Sequence, residues 1–125
     1  MNAELKATVI PILRGMGFKG SMPHFRRRHA DRIDLLTFQF DQGGGGFVVE
    51  IAKCGPDGCT MPWGEQVPPN KATAHHVSAP RPRLRPSGAD EDHWFRYDNG
   101  LTPRDAVQEL VPLLATVAEA WWNAG

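Results

Sequence analysis

Two cysteines and two histidines are the first residues whose types could do chemistry together. Cys54 and Cys59 are separated by four residues, and His75-His76 follows them. Tetrahedral zinc is held by about four such thiolate and imidazole ligands. The Cys-x4-Cys spacing is at the loose end of that pattern. Adjacent histidines on an extended segment also point to opposite sides, so one of them turns away. The competing reading makes Cys54 a small apolar strand end and Cys59 part of a turn built by Gly55-Pro56-Asp57-Gly58. The expectation is no metal and no cofactor. Cys54, Cys59, His75 and His76 remain the candidate ligands if the chain is a metal-dependent hydrolase.

A second group is cationic. Arg26-Arg27-Arg28 and Arg81-Pro82-Arg83-Leu84-Arg85-Pro86 are the basic clusters. In an extended segment Arg81, Arg83 and Arg85 project to one side, and guanidinium groups grip phosphate or carboxylate through paired hydrogen bonds. Trp63 and Trp94 offer stacking surfaces of the kind single-strand binders use. Arg81, Arg83, Arg85, Trp63 and Trp94 are therefore the candidate site for a small anion or a nucleic acid. The overall charge weighs against nucleic acid. With 14 basic and 14 acidic residues the net charge is zero, so no global field attracts a polyanion. Intrachain partners for the arginines are at hand in Asp31, Asp34, Glu50 and Asp90-Glu91-Asp92.

Catalysis finds no recognisable frame. His24, His29, His75, His76 and His93 could act as bases, and Ser78, Ser87 and Cys59 as nucleophiles, but none sits in a nucleophile elbow or triad motif. Gly43 to Gly46 lacks the lysine and helix of a phosphate-binding loop and reads as a hairpin. No catalytic residue is assigned. At the C-terminus, Trp121-Trp122 lie about 100° apart on a helix, so both cannot face one core. Trp122 is the candidate interface residue, because aromatic side chains are enriched where proteins meet.

These residues need elements to position them. Leu5, Val9, Ile12, Leu13 and Met16 recur at helical spacing, with Pro11 as a kink or a new first turn. Residues 33–41 and 47–52 alternate like half-buried strands, joined by the glycine-rich hairpin, and residues 24–29 add a short basic strand. The loop-rich segment 54–90 holds seven of the eleven prolines, which confines any strands there, such as 74–79 and 83–85, to edges. A strand over 93–97 follows. Thr102, Pro103 and Asp105 then start a second helix, with a stripe of Val107, Leu110, Val111, Leu114, Val117, Ala118 and Trp121.

Several stretches point to a family: Ile12-Leu13-Arg14-Gly15-Met16-Gly17-Phe18, Phe25-Arg26-Arg27, Thr37-Phe38-Gln39 and Gly45-Gly46-Phe47-Val48-Val49-Glu50-Ile51. Trp63-Gly64, Arg83-Leu84 and His93-Trp94-Phe95 belong with them. In these the chain resembles the bacterial domain of unknown function 4304 family over most of its length. The resemblance implies an α+β domain. It implies no activity and carries over no functional residue.

The residues themselves predict one domain, 1–125, of α+β class. Its antiparallel sheet has about four to six strands, with N-terminal and C-terminal helices mostly on one face. The N-terminus reads as no signal peptide and no apolar run spans a membrane, which points to the cytoplasm. The functional expectation is a non-catalytic protein-interaction domain whose partner is another protein or a second copy of itself. An anionic-ligand or nucleic-acid binder is the alternative, and a metal-dependent hydrolase the further one.

Overall fold

In the two central segments every second residue is apolar, and they form the longest strands. The computed structural model describes residues 2–77, 82–85, 93–98 and 100–124. The strands are β1 (Lys19–Ser21), β2 (His24–Arg28), β3 (Ile33–Phe40), β4 (Gly46–Cys54), β5 (Cys59–Thr60), β6 (Gln66–Val67) and β7 (Phe95–Arg96). A five-stranded antiparallel sheet runs β1-β2-β3-β4-β7, and β5 pairs with β6 separately. β3 and β4 pair along their length, from Ile33 opposite Cys54 to Phe40 opposite Phe47. Asp41 N–H closes the hairpin onto Gly46 O at 2.9 Å, with Gly44 and Gly45 at positive φ as such a turn requires.

Two helices lie on one face of the sheet. The first, α1, spans residues 2–15, with a π-helical turn at Leu5–Val9. Pro11 has no N–H and its ring would crowd the carbonyl four residues back. The ladder widens ahead of it, and Ile10 N–H bonds to Leu5 O. The helix stops where Gly17, at φ +100°, lets its own N–H reach Arg14 O and that of Phe18 reach Leu13 O. The second, α2, spans residues 103–123 and starts with reciprocal hydrogen bonds between Thr102 and Asp105. It too carries a π turn, Leu114–Ala118, just beyond Pro112.

That second π turn corrects the expected stripe. The extra residue in one turn slips the phase, so the buried series runs Val107, Leu110, Leu114, Ala118, Trp122. Val117 is exposed and Trp121 only half-buried. Trp122, expected at an interface, is fully buried: its indole N–H donates to Ala52 O at 3.0 Å and its ring packs on Phe18.

Between helices and sheet lies an aromatic core of Phe18, Phe25, Phe38, Phe47, Phe95 and Trp122. The opposite face of β3 and β4, which the half-buried pattern leaves without helices, has a cover of its own. Ile33, Leu35 and Ala52 pack under Cys59, Val67, Ala72 and Ala74 from the proline-rich stretch. Within that cover Ala74–His76, the start of the expected edge strand 74–79, is a short 3-10 helix, and residues 78 and 79 lie outside the described residues. Arg83 does pair at the edge, bridging Glu50 of β4, with Leu84 N–H on Val49 O at 2.7 Å. Among the described residues no helix is long and apolar enough to cross a membrane.

Candidate functional site

β2 divides its side chains between the two faces. Phe25 and Arg27 turn toward the helices, and His24, Arg26 and Arg28 toward the other side. Arg27 is absorbed by the fold. Its guanidinium lies 4.7 Å from the Phe18 ring and 5.3 Å from that of Trp122, and it pairs with Asp34 and Glu119. Asp34 is fully buried and also takes hydrogen bonds from Arg32 and His29 at 2.7 Å each. Burial alone would raise its carboxyl, but the hydrogen bonds from Arg32, His29 and Arg27 hold it below the usual carboxylate range.

The other two arginines face a groove. Lys19 on β1 stands directly opposite Arg26, so both side chains leave the sheet on one face. Arg28 is two residues farther along the same side. Gly17, Lys19, Arg26, Arg28 and Asn70 line an open groove of about 260 Å³. Arg26 is held in position by its Nε donating to Ala72 O at 3.0 Å. Lys19 and Arg28 are exposed and, among the described residues, make no ion pair. The lining has three cations, an amide and no acid, which is what a carboxylate or phosphate needs.

A polar row adjoins the groove. His24, Thr37, Glu50 and Arg83 are successive cross-strand partners on four neighbouring segments. His24 Nδ1 and Thr37 Oγ1 hydrogen bond at 2.9 Å. Thr37 is fully buried and Glu50 is 4% exposed. The His75 ring meets His24 edge-on at 5.4 Å. Burial, then the charges of His75, Arg26 and His76, lower the His24 pKa from 6.5.

The expected sites separate. Arg81 lies outside the described residues, as do Ser78, Ser87 and the Asp90-Glu91-Asp92 run. Arg83 and Arg96 each place a guanidinium 5.9 Å from the Trp94 ring, so Trp94 already stacks within the protein. Arg85 is half-buried nearby in sequence. Trp63 is 71% exposed, with its indole N–H reaching Glu65 in its own loop at 3.4 Å. Cys54 and Cys59 adjoin each other, while His75 lies against His24 and His76 Nδ1 accepts from Thr73 N–H at 3.0 Å. The four are not gathered, and among the described residues no three His, Cys, Asp or Glu side chains are placed to hold a metal ion. A second hollow, beside Trp94 and Arg96, carries Asp105 and Glu109, whose carboxylates are engaged by Thr102 N–H and by His93.

Lys19 and Asn70 are the groove residues that sequence reading missed, and Lys19 has a signal in the sequence. That signal is the short Met22-Pro23 reversal, which folds β1 back against β2.

Comparison with known families matches residues 9–124 to the domain of unknown function DUF4304. The chain belongs to this family. No curated protein and no solved structure matches it. DUF4304 membership brings no assigned activity, so the chemistry of the groove has to be argued from its own residues.

Proposed function

We propose that this chain is a non-catalytic binding domain that captures an acidic segment of a partner protein in the groove between β1, β2 and Asn70. The observation that carries the reading is Lys19 placed directly across from Arg26, with Arg28 beside them. Like charges on opposed strand positions destabilise a sheet, and an anion seated between them reverses that cost. The open shape suits a carboxylate-bearing side chain entering from solvent. Arg26, tied to Ala72 O, is pre-positioned for it. Catalysis has less support, because the hydroxyl beside His24 belongs to fully buried Thr37. We place this binding in the cytoplasm, where both thiols would ordinarily stay reduced.

Titration with a glutamate-rich peptide, followed by calorimetry, tests the proposal. The expected result is saturable binding that weakens as salt rises and falls at least tenfold in Lys19→Glu and Arg28→Glu variants. Equal binding by parent and both variants would falsify it. Binding of inorganic phosphate without the peptide would move the assignment to a small anion.

A further inference from the structure

β4 ends at Cys54 and β5 begins at Cys59, and the chain between them reverses sharply. Gly55 and Gly58 form an antiparallel bridge, with Gly58 N–H donating to Gly55 O at 3.2 Å. The reversal returns Cys59 to the neighbourhood of Cys54, and both thiols are free. Cys54 and Cys59 are the residues just outside the Gly55–Gly58 bridge, and positions that continue such a bridge have Cα separations of about 4.5–5.5 Å, inside the roughly 4.4–6.8 Å that a disulfide spans. Cys59 is 5% exposed, fixed among Ile33, Leu35, Ala52 and Val67. Cys54 is half-buried, so its sulfur is the one an external reagent meets first.

The geometry points to a redox pair: Cys54 and Cys59 form an intramolecular disulfide when a small disulfide oxidant, such as oxidised glutathione, is present. The Cys54 thiolate attacks one oxidant sulfur, giving a mixed disulfide and releasing one thiolate. Cys59, after losing its proton, attacks the Cys54 sulfur and releases the second thiol. Two protons and two electrons leave the protein, and the oxidant becomes two thiols. Burial and then Cys59 push the Cys54 thiol up to about 12, so the exchange is slow near neutrality. The product ties the β5–β6 hairpin, and with it the cover over the second sheet face, to the end of β4.

The test incubates the full chain with oxidised glutathione, then measures intact mass, reactive thiols and Tm. Loss of two hydrogen atoms and of both thiols is expected, with Tm raised by roughly 5–8 °C from the closed short loop. Cys54→Ser and Cys59→Ser should each stop at a mixed disulfide or a free thiol, without the rise. The oxidised and reduced parent supply the same comparison if a variant does not fold. Two thiols still reactive after a urea-unfolded control has fully oxidised would overturn the inference. So would a disulfide that lowers Tm.

Discussion

Arg27 Nε donates to Asp34 Oδ2 at 2.9 Å, and the two residues are direct partners across the β2–β3 ladder. The same carboxylate anchors Arg32 and His29, while Arg27 reaches Glu119 of α2. One buried charge thus joins the sheet to the end of the last helix. Asp34→Asn keeps the shape and removes the charge. The expected loss is about 2–3 kcal/mol by urea unfolding, below the ~3–5 kcal/mol of a wholly buried pair because Arg32 and His29 are partly exposed. An unchanged urea midpoint would remove the hub from the account of stability.

The same residue sets an acid dependence. Its pKa is lower folded than unfolded, so its stabilisation is complete above the ordinary value of 3.8 and fades as pH falls through the folded value. Thermal melts below pH 4 should therefore drop more steeply in the parent than in Asp34→Asn. Parallel acid limbs for the two proteins would contradict the assignment.

Lys19 offers a trade between stability and binding. Replacing it with Gln removes a like-charge pair with Arg26. The fold should gain about 0.2–1 kcal/mol, as measured for cross-strand charge pairs, while affinity for a glutamate-rich peptide falls. A variant that loses stability and binding together would indicate that Lys19 supports the strand rather than a ligand.

Much of this architecture was legible in the residues and some was not, for identifiable reasons. Leu36, Phe38 and Phe40 on one strand and Phe47, Val49 and Ile51 on the other repeat at every second position, so β3, β4 and the helix-facing core follow from period alone. Trp122 did not, because the π turn at Leu114–Ala118 moves the buried position by one residue, and Pro112 marks a disturbance of the helix without fixing the direction of that slip. The cover on the second face rests on strands of two residues and on single side chains such as Val67 and Ala72, too short for periodicity to reveal. For the groove, Arg26 and Arg28 were visible as a basic run, but their neighbour Lys19 arrives through a strand containing Gly20 and Ser21, residues with weak strand preference.

Trp122 makes the phase slip testable. Trp122→Phe loses the indole bond to Ala52 O and part of a buried ring, an expected cost of about 1–3 kcal/mol, whereas Trp121→Phe should cost under about 1 kcal/mol. Had the helix kept a regular α ladder, the ranking would reverse. Paired denaturant curves for the two variants distinguish these outcomes.

Two glycines test whether the proline-rich cover is held by a close backbone approach. Gly58 and Gly64 both have positive φ, +101° and +94°, so Ala is strained at either. They differ in surroundings. A Cβ on Gly58 would lie 2.0 Å from Val67 O and 3.1 Å from the Pro68 and Pro69 backbone, while one on Gly64 meets open space. Gly64→Ala should cost only the conformational strain, about 1 kcal/mol. Gly58→Ala must in addition push β6 away from the turn, opening the packing of Cys59 and Val67 over Ile33 and Leu35. Its expected cost exceeds about 2 kcal/mol, with faster amide exchange in β5 and β6 than in β3. Equal costs at the two positions would mean that the hairpin does not close on Gly58 as described.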